Sequence, residues 1–116
     1  MDVEYPDPGR PDILILKPSG ELDLYSSSEF GREALARIVP GIRSVIVDCS
    51  AVSYMDSSGT GAIIHLLQRT RAMGSRLALA GLRRGPRQIL AMVNLFSIIP
   101  EYPDIGRALE AQDVRL

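Results

Sequence analysis

Two kinds of apolar pattern alternate along this chain. Short, near-continuous apolar runs read as strands: Asp12-Ile13-Leu14-Ile15-Leu16-Lys17, Ser44-Val45-Ile46-Val47-Asp48-Cys49 and Arg76-Leu77-Ala78-Leu79-Ala80. The first has no polar residue between Ile13 and Leu16, which predicts burial on both faces of a sheet. Between the runs the apolar residues take helical spacing. Phe30, Ala34, Leu35 and Ile38 form one stripe, opened by Ser26-Ser27-Ser28-Glu29, where Ser26 and Glu29 have capping-box spacing, and stopped by Pro40-Gly41. A second helical stretch runs to Met73, with Gly74 as the residue that ends it. A third begins near Pro86 and carries Ile89, Leu90, Val93 and Leu95 or Phe96. Ser97-Ile98-Ile99-Pro100 predicts a short last strand, and Asp104 caps a final helix bearing Ile105, Ala108 and Leu109. Pro18-Ser19-Gly20-Glu21-Leu22-Asp23 reads as a turn-rich segment and residues 81–85 as a loop.

Strands and helices alternating at these lengths predict an α/β fold. The expected architecture is a mostly parallel four- to five-stranded sheet with an N-terminal edge strand, packed with about four helices. Residues 1–11 hold three prolines and a glycine and are expected to be a flexible segment, with a short edge strand at 3–5; the domain proper is expected over 12–112. At 116 residues and 46% hydrophobic content, one core is sustainable without disulfides.

The segment with most chemistry is Tyr54-Met55-Asp56-Ser57-Ser58-Gly59-Thr60-Gly61, a predicted corner between strand and helix. Asp56 or Ser57 suits the N-cap, and Gly59 and Gly61 allow another surface to come close to the backbone. A phosphate added to a hydroxyl here would sit at the positive end of a helix dipole. Ser58, His65 and Asp56 do not form a hydrolase triad. His65 is seven residues beyond Ser58, roughly 10 Å along a helix, and a general base must lie within ~3 Å. The G-x-S-x-G and G-x-x-x-x-G-K-[ST] patterns are both missing. His65 instead reads as an exposed helix-face residue in line with Ser58, Gly61 and Ala62.

Charge and composition narrow the classes further. The net charge of −1 implies no general attraction to nucleic acid or anionic membrane. Residues 1–33 hold eight acids and three bases, whereas 57–100 hold six arginines and no acid. That asymmetry reads either as arginines dispersed over a solvated surface or as a face for an acidic partner. Cys49 is the only cysteine, so it reads as a small buried hydrophobe in a reducing compartment, and with one histidine beside it no metal site is expected. The start Met1-Asp2-Val3-Glu4 lacks a signal-peptide pattern and no apolar run approaches ~18 residues, so a cytoplasmic protein is expected.

Asp56-Ser57-Ser58-Gly59-Thr60-Gly61, with Val45-Ile46-Val47-Asp48 and Gly20-Glu21-Leu22-Asp23 ahead of it, resembles the bacterial anti-sigma-factor antagonists of the STAS domain family. The resemblance runs from about Asp12 to Leu109. It implies a non-enzymatic switch with no cofactor: the unphosphorylated domain binds an anti-sigma-factor serine kinase and frees a sigma factor, phosphorylation on Ser58 releases the kinase, and a serine phosphatase resets the cycle. Asp56 and Ser57 would support phosphate transfer, Asp56 by orienting the serine. Gly20, Glu21, Leu22, Asp23, Ser57, Ser58, Gly59, Thr60, Gly61 and His65 would meet the kinase. The expected state is a monomer or weak dimer, without nucleic-acid contact or membrane insertion. Thr60 stands where a bulky aliphatic residue is common in that family, and Asn94 where glycine is often found. Two other roles occur to the same kind of domain: an accessory module of a lipid or anion transport system, and a nucleotide-binding domain.

Overall fold

The computed structural model describes residues 1–5 and 9–113. Seven strands and four helices follow in the order β1 (Asp2–Glu4), β2 (Ile13–Lys17), β3 (Ser19–Leu22), α1 (Leu24–Arg37), β4 (Ser44–Asp48), β5 (Ala51–Met55), α2 (Ser57–Ala72), β6 (Arg76–Ala80), α3 (Arg84–Met92), β7 (Glu101–Tyr102) and α4 (Ile105–Asp113). Five strands make the main sheet in the order β1-β2-β4-β6-β7. Strand β1 pairs antiparallel with β2 at the edge, and every other pairing in this sheet is parallel. The predicted mostly parallel sheet with an N-terminal edge strand and four helices is therefore what the chain forms.

Continuous apolar runs become the three central strands because both faces of the sheet are covered. Leu14, Leu16, Val45, Val47, Leu77 and Leu79 point into the larger core, which also holds Phe30 and Ala34 of α1, Ile38 just after it, Ile63 and Leu66 of α2 and Leu90 of α3. On the opposite face Ile13, Ile15, Ile46 and Ala80 meet Ala108 of α4. Of the stripe read from Phe30, Ala34, Leu35 and Ile38, the first two are buried on α1, Leu35 is half-buried, and Ile38 is buried at the helix's C-terminal cap. Cys49 is buried in the larger core, where desolvation first, then the charge of Asp48, pushes its thiol up to about 12. It packs as a small apolar side chain.

Three local expectations change. Residues 18–23 are not only a turn: Ser19–Leu22 form β3, which pairs in parallel with β5 as a separate two-stranded sheet, with an irregularity between Gly20 and Glu21. Helix α1 starts earlier than the serine run suggested. Asp23 is the N-cap, and its carboxylate accepts from the amides of Tyr25 and Ser26, both at 3.0 Å, leaving Ser26 as the third helical residue whose hydroxyl accepts from the Asp23 amide at 3.0 Å. An ionised carboxylate serving two amides outcompetes a serine hydroxyl serving one. The last strand is Glu101–Tyr102; Leu95–Ser97 form a 3₁₀ turn instead, and Ile99 is a buried plug behind it.

Candidate functional site

Strands β3 and β5 run side by side and both end in a helix. Leu22 lies level with Met55, so the next residues, Asp23 and Asp56, stand beside one another as the N-caps of α1 and α2. The Asp56 amide donates to the Leu22 carbonyl at 3.4 Å, which ties the two corners together. Residues 20–23 and 54–61, distant in sequence, thereby form one surface.

Within the second corner Asp56, not Ser57, is the cap. Its carboxylate accepts from the Ser58 amide at 2.8 Å and the Gly59 amide at 3.4 Å, and its carbonyl accepts from the Thr60 amide at 3.1 Å. The three neighbouring hydroxyls differ in access. Ser57 is exposed and Ser58 half-buried, while Thr60 is buried with its hydroxyl donating back to the Asp56 carbonyl at 3.3 Å. Two of the three can be reached from solvent.

The glycines divide the work between them. A Cβ on Gly59 would lie 2.5 Å from Met55 Cγ and 3.1 Å from both Cβ and the carbonyl oxygen of Leu22. Gly59 is therefore the close-packing point where α2 starts against β3 and β5. A Cβ on Gly61 would meet nothing within 4 Å, so the surface that could approach Gly61 lies outside this chain.

Ser58, Gly61, Ala62 and His65 line one wall of a groove of about 600 Å³ whose other wall is α1, with Leu24, Ser27, Ser28, Gly31, Arg32 and Leu35. His65 is exposed on the same helical face as Ser58. Leu24, which lines the groove, and its neighbour Tyr25 are 66% and 81% exposed, a large apolar pair left uncovered by the described residues. The Ser27 hydroxyl is buried without a hydrogen-bond partner among the described residues. Sequence reasoning missed the α1 wall entirely; its one available signal was the apolar pair Leu24-Tyr25 placed directly after a helix-capping aspartate.

The Asp23 cap is electrostatically favourable. The Ser26 amide, then the Ser26 hydroxyl, hold its carboxyl below the ordinary value of 3.8. Among the described residues no group of three or more His, Cys, Asp or Glu could hold a metal ion, and no helix is long and apolar enough to cross a membrane. Three of the six arginines of 57–100 are engaged within the chain: Arg69 donates to the Ile38 carbonyl, Arg83 to the Ser50 carbonyl, and Arg87 pairs with Glu101 while stacking 5.4 Å from the Phe96 ring centre.

A parallel sheet of this order, with a capped serine corner leading from the small β3–β5 sheet into α2, defines the class: the chain belongs to the STAS domain family, which matches residues 5–108. It is similar to an anti-sigma F factor antagonist of Paenibacillus polymyxa, 29% identical over 105 residues and covering 88% of each chain. Among solved structures, a candidate anti-sigma factor antagonist of Thermotoga maritima superposes with a TM-score of 0.80 at 26% identity, covering 86% of both chains. The anti-sigma factor antagonist SpoIIAA in its unphosphorylated form superposes with a TM-score of 0.81 at 18% identity, over 99% of this chain and 97% of that one.

Proposed function

We propose that this chain is an anti-sigma-factor antagonist that works by partner switching: unphosphorylated it binds an anti-sigma-factor serine kinase, and phosphorylation on Ser58 ends the complex. The observation that carries the reading is the position of Ser58. It stands half-exposed in the first turn of α2, on the rim of the α1–α2 groove, with its amide held by Asp56 at 2.8 Å. The name of the Paenibacillus relative, which matches this chain over 88% of its own length, supports the same role.

In this scheme the kinase supplies ATP and Mg²⁺, and the chain supplies a positioned hydroxyl. Asp56 fixes the turn on which Ser58 sits and so orients it; Ser57 borders the same turn. The kinase-facing surface comprises residues 20–23 from β3 and its end, Ser57, Ser58, Gly59, Thr60 and Gly61 from the corner, and His65 further along the same wall of α2. Of these, Gly59 and Thr60 are buried and contribute through shape, whereas Gly20, Glu21, Ser57 and His65 are exposed and can touch a partner directly. A serine phosphatase would restore the binding form.

The test is incubation with the kinase encoded nearest to the gene, plus ATP, followed by peptide mass spectrometry. A single phosphate on Ser58 is expected, and Ser58→Ala should bind the kinase with or without ATP. A phosphate on Ser57 or on any other residue, or a Ser58→Ala variant that ATP still releases, would overturn the assignment. Neighbouring genes for a transporter in place of a kinase and phosphatase would point to the transport-accessory role.

A further inference from the structure

At the end of the main sheet opposite Ser58, three arginines from three separate segments converge. Arg10 lies shortly before β2, Arg43 immediately before β4, and Arg76 opens β6. These three strands are neighbours, with Ile13, Ser44 and Arg76 level across them. The Arg43 amide donates to the Asp12 carbonyl at 2.8 Å and the Arg76 amide to the Arg43 carbonyl at 3.0 Å, so the backbone that carries the arginines is fixed. Together with Asp12, Ser44, Gly74 and Gln112 they border a pocket of about 340 Å³.

The polar groups of its floor are already arranged. Ser44 and Gln112 are both buried; the Ser44 hydroxyl donates to Gln112 Oε1 at 2.8 Å, and the Gln112 amide donates to the Ala108 carbonyl at 3.3 Å. Among the described residues of the lining Asp12 is the one carboxylate, and it is paired with Arg10 at 3.2 Å. That hydrogen bond, with a smaller contribution from the nearby charge of Arg43, holds the Asp12 carboxyl below its ordinary value. Arg43 and Arg76 are exposed, and neither forms a salt bridge among the described residues.

Charge decides what such a pocket takes. Helices α2 and α4 both end beside it, through Gly74 and Gln112, and each helix C-terminus brings about half a negative charge. Arg10 and Asp12 offset one another, and the charges of Arg43 and Arg76 outweigh the two helix ends, so the described lining residues leave a net charge of about +1. Cations are disfavoured, and the polar lining offers little to an apolar ligand. Guanidinium forks match the oxygens of a phosphate in geometry as well as sign. We propose that this pocket binds a small phosphate-bearing anion, either inorganic phosphate or a phosphate monoester, held chiefly by Arg43 and Arg76. Helix α2 separates it from Ser58 by roughly 24 Å, so its ligand leaves the proposed kinase-binding corner uncovered.

The test is calorimetric titration and thermal melting of the whole chain at fixed ionic strength, with inorganic phosphate and, separately, AMP. The parent should bind at least one of them and melt about 5 °C higher at tenfold its Kd. Arg43→Gln/Arg76→Gln should lose tenfold or more in affinity. Both substitutions are exposed, so its melting without ligand should stay within about 2 °C of the parent. Ser58→Ala should bind as the parent does. Tighter phosphate assigns the free anion and tighter AMP a monoester, and either sustains the pocket. No binding to the parent, equal binding by the double variant, or loss of binding in Ser58→Ala alone would overturn the proposal.

Discussion

Replacing Gly59 by alanine tests how the two corners are held together. The added methyl would lie 2.5 Å from Met55 Cγ and 3.1 Å from two atoms of Leu22, one of them a backbone oxygen. Met55 Cγ can rotate only by disturbing a side chain that is itself buried, and the Leu22 carbonyl already accepts from the Asp56 amide. Overpacking of this kind costs about 1–3 kcal/mol, against a helix-propensity gain of at most about 1 kcal/mol at a position so close to the helix start. A net loss of about 1–2 kcal/mol follows, or about 4–8 °C in Tm for a chain of this size. Gly61→Ala is the matched control: it adds the same methyl on the same helix where nothing lies within 4 Å, and should be neutral or raise Tm. Thermal melting of the two variants beside the parent, followed by far-UV circular dichroism, decides the matter. A Gly59→Ala variant that melts at or above the parent would mean that β3 and β5 do not close on α2 as described.

Further expectations follow from other positions. Ser58→Asp should melt within about 2 °C of the parent yet bind the kinase tenfold to a hundredfold more weakly; equal binding in a titration would refute the proposed switch. Asn94 closes α3 with φ 57 and ψ 32, so Asn94→Ala should cost about 1–2 kcal/mol while Asn94→Gly stays close to the parent, as chemical denaturation can measure. Ile46→Asp, in the fully buried middle of β4, would bury a charge at a cost of several kcal/mol out of roughly 5–15 and should abolish cooperative unfolding in a calorimetric scan. Because folding depresses the Asp23 carboxyl, its stabilising contribution is complete above pH 3.8 and is lost as the pH falls through the lower folded-state value; Asp23→Asn should therefore flatten the acid limb of a Tm-against-pH curve.

Most of the main sheet was legible because strands buried on both faces announce themselves as unbroken apolar runs, and the first two helices because their stripes end at Gly41 and Gly74. Strand β3 was not, since Ser19-Gly20-Glu21-Leu22 carries one apolar residue, and its order comes from pairing with β5, some thirty residues away. The run Ser97-Ile98-Ile99-Pro100 misled in the opposite way: its β-branched residues mimic a strand, but Ile99 is used as a plug and the backbone pairing falls to the next two residues, Glu101 and Tyr102, against Leu79 and Ala80. At the site, the cap at Asp56 and the solvent-reachable Ser57 and Ser58 followed from local rules. The groove did not, because its α1 wall depends on how α1 settles against α2. The arginine pocket was hidden for the same reason, its three guanidinium groups being more than thirty residues apart along the chain and brought level only by the parallel register. Asn94 shows how a departure from a usual glycine is tolerated: asparagine is the side chain best able to enter the left-handed region that α3 requires at its end.

Under the proposed function, the geometry favours a switch that acts at the interface and not through the fold. The first-turn amides of α2 that a phosphate on Ser58 would seek are already partly spoken for, since Asp56 accepts from Ser58 and Gly59. The dipole of α2 would favour the added charge by about 0.3–1 kcal/mol, and even at 4 Å in water a dianion would repel the Asp56 carboxylate by only about 2 kcal/mol. These effects oppose one another, and their difference is small beside a fold stability of roughly 5–15 kcal/mol. A partner seated on the groove meets a different balance. It must strip water from a dianion that has one carboxylate beside it and gains no new cation from this corner, unless the partner provides one, and that desolvation penalty is the larger quantity. Arg32 lines the opposite wall, on α1, and among the described residues it is the one guanidinium that borders the groove. How strongly phosphorylation weakens the complex then depends on whether Arg32 answers the phosphate or remains committed to the partner.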